Sequence, residues 1–125
     1  MLSKAVLVVD DDEDIRMNLT VALEAEGYEV FSACNGLEAL SWLETAPEVE
    51  RVCCILLDLM MPKMDGEQFL KVLHERHPGR LSSIPVIIAT ARGGAISTAG
   101  FPGKIETIRK PMDLDELYSA VARHC

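Results

Sequence analysis

No apolar run in this 125-residue chain approaches the roughly 20 residues that a membrane-spanning helix requires. The opening stretch, MLSKAVLV, passes straight into a strand without a cleavage signal, so the expectation is a cytoplasmic protein with no membrane contact. Basic residues are scarce: 12 Lys and Arg face 20 Asp and Glu, a formal charge of −8. That sign argues against nucleic acid or an anionic membrane as the main partner, and it suits a cation or a basic protein patch. The four cysteines, Cys34, Cys53, Cys54 and Cys125, show no CxxC spacing, which speaks against a zinc site or a redox pair. Reduced thiols are expected, with Cys53 and Cys54 packing as small apolar residues. Neither repeat, low-complexity tract nor linker interrupts the chain, and 49% hydrophobic with 26% charged residues is a globular balance. One domain spanning residues 1–125 is expected.

Short β-type runs alternate with helical patterns. Residues 5–9 are continuously apolar, as parallel strands covered on both faces are. Ile15, Leu19, Ala22 and Leu23 share a helical face that Gly27 can end in a left-handed cap. Residues 28–34 give a second strand, and Asn35-Gly36 turns into a helix with Leu37, Leu40 and Leu43 inward, closed by Pro47. The apolar run VCCILL, 52–57, predicts a central third strand. Pro62 makes LMMPKMD, 59–65, a loop, after which a third helix carries Phe69, Leu70 and Leu73 as far as Pro78. Residues 85–89 and 105–108 give strands four and five. Asp113 with Glu116 predicts a capping box for a last helix whose apolar face is Leu114, Leu117 and Val121. Strands alternating with helices imply parallel pairing through right-handed crossovers, hence an α/β doubly wound sheet.

In such sheets ligands bind beyond the carboxyl ends of the strands. Asp10 and Asp11 follow the first strand, Asp58 the third, Thr90 the fourth and Lys110 the fifth, so the topology gathers them at one edge. Asp12, Glu13 and Asp14, the rest of the acidic run VLVVDDDED, read as a helix N-terminus favoured by the macrodipole. Carboxylates crowded together need a cation, and a few protein oxygens completed by water suit Mg2+. A carboxylate beside a metal and a lysine can act as a nucleophile toward a phosphoryl group, forming an aspartyl-phosphate. Mg2+ would then face one phosphoryl oxygen, the Lys110 ammonium a second, and the Thr90 hydroxyl with backbone N–H groups the third.

VLVVDDDEDIR, LLDLMMPKMDG, PVIIATA and RKP occur in order and at suitable spacing, and through them the whole chain resembles the receiver domains of two-component response regulators. The resemblance implies a flavodoxin-like (βα)5 fold with a five-stranded parallel sheet of order 2-1-3-4-5. It implies a signalling module, not an enzyme, that catalyses only its own phosphorylation and dephosphorylation. Asp58 takes the place of the phosphoacceptor. Asp10 and Asp11 take that of the acidic pair, Asp11 binding Mg2+ more directly and Asp10 mostly through water, with the backbone carbonyl of Met60 as a third protein ligand. Thr90 matches the switch hydroxyl and Lys110 the site lysine, followed by a cis bond to Pro111. Met60 and Arg92 would flank the path of an attacking water. Apolar Met60 cannot orient that water, which implies slow self-dephosphorylation. The implied partners are a sensor histidine kinase or phosphotransfer protein and a downstream protein or fused output domain; a homodimer is a further option, and direct nucleic-acid binding is not expected.

Two departures accompany the resemblance. Thr107 stands where many receivers carry the aromatic that moves with the switch hydroxyl. In ARGGAISTAGFPG, 91–103, interior glycines at about 1 kcal/mol each and a proline at about 3 predict that the family's fourth helix is reduced or disordered. The alternative from another class is a small Mg2+-dependent phosphatase of the haloacid dehalogenase type, but Asp10-x-Asp12 continues into Glu13-Asp14 where that family wants Thr or Val. A flavodoxin-like cofactor binder would have to hold a phosphate against five acids.

Overall fold

In the computed structural model, which describes residues 3–59, 61, 64–90 and 104–125, the apolar runs become five parallel strands. They are β1 (Ala5–Val9), β2 (Glu29–Ala33), β3 (Val52–Asp58), β4 (Val86–Thr90) and β5 (Ile105–Arg109). Their order across the sheet is β2-β1-β3-β4-β5, so β3 is central as its apolar run predicts. Helices α1 (Glu13–Ala25), α2 (Gly36–Thr45), α3 (Gly66–Arg76) and α4 (Leu114–His124) cover it, with 3-10 turns at Pro47–Arg51 and Leu81–Ser83. The doubly wound, flavodoxin-like architecture expected from the sequence is present. The expectation for the segment between β4 and β5 falls on residues 91–103, outside the described ones.

Side chains alternate between the two faces of a strand. Ala5, Leu7 and Val9 therefore join Ile55, Leu57, Ile88 and Phe69 in one core beneath α2 and α3. Val6 and Val8 join Leu56, Ile87, Ile108, Leu23 and Leu117 in a second core beneath α1 and α4. Central strands buried on both faces must be apolar at every position, whereas the edge strands β2 and β5 keep exposed and half-buried residues. Cutting fully buried Leu57 or Ile87 to Ala costs about 2–5 kcal/mol.

Helix ends follow local chemistry. Asp12 caps α1 by accepting from the N–H groups of Asp14 and Ile15, which places Glu13 and Asp14 in the first turn as expected. At the other end Gly27 takes φ +93°, and the N–H groups of Gly27 and Tyr28 reach back to the carbonyls of Glu24 (3.0 Å) and Leu23 (3.2 Å). That closes α1 in a Schellman motif, which glycine enters without strain.

Three expectations are corrected. Leu37 (53% exposed) and Leu114 (49%) face water, and Ala39 and Ala120 are buried in their place. A three-residue spacing slips by about 60° per step around a 3.6-residue helix, so the first leucine of each row rotates off the core. The reciprocal capping box forms at Asp65 and Gln68, while Asp113 caps α4 through the N–H of Asp115. Finally, Cys53 and Cys125 are joined in a disulfide, against the expectation of unpaired thiols. They are 72 residues apart, and only the packing of α4 over β3 brings them together.

Candidate functional site

The carboxyl edge of the sheet assembles its polar groups by carrying each strand about one residue past its neighbour. Asp10 extends β1, its N–H bonded to the carbonyl of Ala33 at 3.1 Å, and Lys110 extends β5, its N–H bonded to the carbonyl of Thr90 at 2.9 Å. Asp58 ends β3 opposite Ala89, one residue before Thr90. Asp10 (3% exposed), Asp58 (6%) and Thr90 (2%) are buried, whereas Asp11 is exposed. Lys110 reaches in from the rim, its Nζ 3.4 Å from Asp10 Oδ2 and 3.3 Å from Asp58 Oδ1. The peptide bond between Lys110 and Pro111 is cis, as the resemblance implies.

Gly66 allows α3 to begin hard against this edge. Its N–H bonds the carbonyl of Leu59 at 3.0 Å, and a Cβ there would stand 2.9 Å from Leu59 Cα and 3.0 Å from the Asp58 carbonyl oxygen. Any larger residue would push α3 away from Asp58. On the other flank, Asp10 Oδ1 accepts from the N–H of Asp12 at 2.9 Å, and the Arg16 guanidinium donates to the Asp10 carbonyl at 2.7 Å. Sequence reading missed Arg16. Its hydrogen bond goes to a backbone carbonyl, so no pattern of side chains in the sequence announces it.

Carboxylate oxygens of Asp10, Asp11 and Asp58 all lie within 4.8 Å of one another. Magnesium–oxygen bonds of about 2.1 Å put opposed ligands roughly 4.2 Å apart, so the three acids fit that ion. Among the described residues three carboxylates face one ammonium there, and a divalent cation would add positive charge to the cluster. Burial by itself would lower the Lys110 pKa, but the charges of Asp10 and Asp58, with hydrogen bonds to both, outweigh it and hold the pKa above the ordinary lysine value. The ammonium is therefore fixed in its charged form. Of the residues predicted for the site, Asp10, Asp11, Asp58, Thr90 and Lys110 come to this edge. Met60 and Arg92 lie outside the described residues. Thr107 is exposed on the edge strand β5.

A family model described as the response regulator receiver domain matches residues 6–122. The chain belongs to that family. Among curated relatives, this receiver is similar to sporulation initiation phosphotransferase F of Bacillus subtilis (strain 168), at 36% identity over 99% of this chain and 95% of the relative. It is also 42% identical, over 74% of its length, to the transcriptional regulatory protein SrrA of Staphylococcus aureus (strain NCTC 8325 / PS 47), of which it covers 34%. Among solved structures, the chemotaxis protein CheY4 of Vibrio cholerae superposes with a TM-score of 0.83 at 26% identity, covering 99% of this receiver and 100% of that chain. A receiver domain protein from Clostridium thermocellum gives 0.80 at 29% identity, covering 97% and 93%. The function is that of a phosphorelay receiver in two-component signalling, and the phosphatase alternative finds no support. Among the described residues no helix is long and apolar enough to cross a membrane.

Proposed function

We propose that this receiver accepts a phosphoryl group from a histidine kinase or phosphotransfer protein onto Asp58, and that the change of charge there switches a downstream protein or fused output domain. The observation that carries the reading is the Lys110 ammonium lying between Asp10 and Asp58 at the end of the central strand. Asp10, Asp11, Asp58 and the backbone carbonyl of Met60 would hold Mg2+. When bound, the ion neutralises charge developing on the transferring group. Asp58 supplies the attacking oxygen. Lys110, charged throughout the neutral range, faces one phosphoryl oxygen, and the Thr90 hydroxyl donates to another once the group is in place. The same lysine holds the unmodified carboxylates together, so phosphorylation exchanges one set of Lys110 partners for another. The reading makes the chain a signalling module of the cytoplasm whose only chemistry is on itself.

Donor docking is assigned to α1, beside the acids. Met17 (59% exposed) and Val21 (68%) present apolar surface there. With Glu13, Arg16, Thr20 and Ser32 they line an open pocket of about 340 Å³. Incubation with acetyl phosphate and Mg2+ should add one phosphoryl group, and both chelation of the metal and Asp58→Asn should abolish the addition. Unchanged phosphorylation of Asp58→Asn would sink the assignment.

A further inference from the structure

We propose that Cys53 and Cys125 form a thiol–disulfide exchange site for small-molecule disulfides, one that clasps the end of α4 to the start of β3. The Sγ atoms of Cys53, Cys54 and Cys125 lie within 4.8 Å of one another. The Cα atoms of Cys53 and Cys125 are 5.2 Å apart, inside the range a disulfide spans. A bulge aims the pair. Ala5 pairs with Val52 and the next residue, Val6, with Cys54, so Cys53 is an extra residue on β3. Regular alternation from Ile55 and Leu57 would turn Cys53 toward α2 and α3. Instead it packs with Cys54 on the face of α1 and α4, where Cys125 lies. Bulges commonly re-aim one side chain in this way.

The other two cysteines are poor competitors. Cys54 is fully buried, and burial pushes its thiol up to about 12, although its Sγ is 3.9 Å from that of Cys125. Cys34 donates to Glu38 at 3.0 Å, which raises its pKa and keeps it protonated, and it sits at the other end of the sheet. Cys53 and Cys125 are half-buried and within reach of a small reagent.

In the exchange, one thiolate attacks a sulfur of R–S–S–R and releases R–S⁻. The second thiolate then attacks the protein-bound sulfur, forming the Cys53–Cys125 bond and releasing another R–S⁻. Two electrons pass from the protein to the small disulfide, and the two thiol protons end on the two released thiols. Excess thiol reverses both steps. Once reduced, Cys53 has an acceptor in the Ala5 carbonyl, 3.2 Å from its Sγ. In a reducing compartment the pair rests open, and closing it records oxidation.

The whole chain, equilibrated in glutathione buffers from reduced to oxidised, acid-quenched, alkylated and peptide-mapped, tests the proposal. Cys53 and Cys125 should lose and regain reactivity together while Cys34 and Cys54 remain thiols. Oxidation should raise Tm on the order of 10 °C, because the bond closes a long loop. Cys53→Ser, Cys53→Ala and Cys125→Ser should abolish that shift, and Cys54→Ser should keep it. Four reactive thiols at every ratio would overturn the proposal. So would a bond through Cys54, glutathione mixed disulfides alone, a co-purified metal masking the three thiols, or a disulfide that excess glutathione cannot open without denaturant.

Discussion

The two ends of β3 carry different chemistry and were built in different ways. One end delivers Asp58 to Asp10, Asp11 and Lys110. The other begins with Cys53 and Cys54 beside Cys125. Five residues at roughly 3.3 Å each put about 16 Å between Cys53 and Asp58. The charged end needs only parallel topology, since every member ends a strand or lies just past one, and the sheet brings strand ends together. The sulfur end needs a break in the topology, because an unbulged strand would turn Cys53 away from α4. Regular structure thus makes the carboxylate site, and an irregularity makes the thiol site.

Changes at the charged end should have the larger effects. Lys110→Ala removes the ammonium that Asp10 and Asp58 share, so the metal-free protein should lose about 1–3 kcal/mol. Mg2+ should restore part of that loss, giving a larger metal-induced Tm rise than in the parent protein, while phosphorylation ceases to alter conformation. If metal affinity collapsed and switching survived, the role given to Lys110 would be wrong. Because its pKa is raised, the Lys110 contribution is fully present below the ordinary lysine value of 10.5 and fades only as pH climbs through the higher folded value.

Next in size is Met60→Asn. An amide two residues after Asp58 can orient an attacking water, so decay of the phosphorylated protein should quicken by several-fold to about tenfold, roughly 1.4 kcal/mol of barrier. Equal decay rates would defeat the idea. At the edge strand, Glu106 is held by hydrogen bonds from Arg123 and His124, which lower its pKa below the ordinary 4.5. Its contribution is present above that value and disappears as pH falls through the lower folded one. Glu106→Gln should therefore cost a little stability at pH 7 and nothing at pH 2. A penalty that persists in acid would mean packing, not charge. The smallest effect expected is that of Cys125→Ser on phosphorylation: a rate within about twofold of the parent, since it lies far from the reacting oxygen and leaves the carboxylate edge intact.

How much could be read from the sequence follows the same division. Strand order came from the resemblance, but the gathering of Asp10, Asp58, Thr90 and Lys110 at one edge followed from alternation of strands and helices alone. Leu37 and Leu114 were misplaced because each stands three residues before the next leucine of its row, which looks like one face but diverges by about 60°. Arg16 was missed because its hydrogen bond goes to a backbone carbonyl, which no side-chain pattern announces. The cysteine pair was missed because a spacing rule reads neighbours in the chain, whereas Cys53 and Cys125 meet through a bulge and the packing of the last helix.

The most direct test of the account is to phosphorylate the chain with acetyl phosphate and Mg2+, trap the acyl phosphate with borohydride and map the modified residue by mass spectrometry. The measurement should be made on both the reduced protein and the protein with Cys53 and Cys125 joined. The account predicts modification of Asp58 in both, at rates within about twofold. Modification of another aspartate, or of a serine or histidine, would contradict the assignment of Asp58. A phosphorylation rate governed by the cysteines would contradict the separation of the two ends.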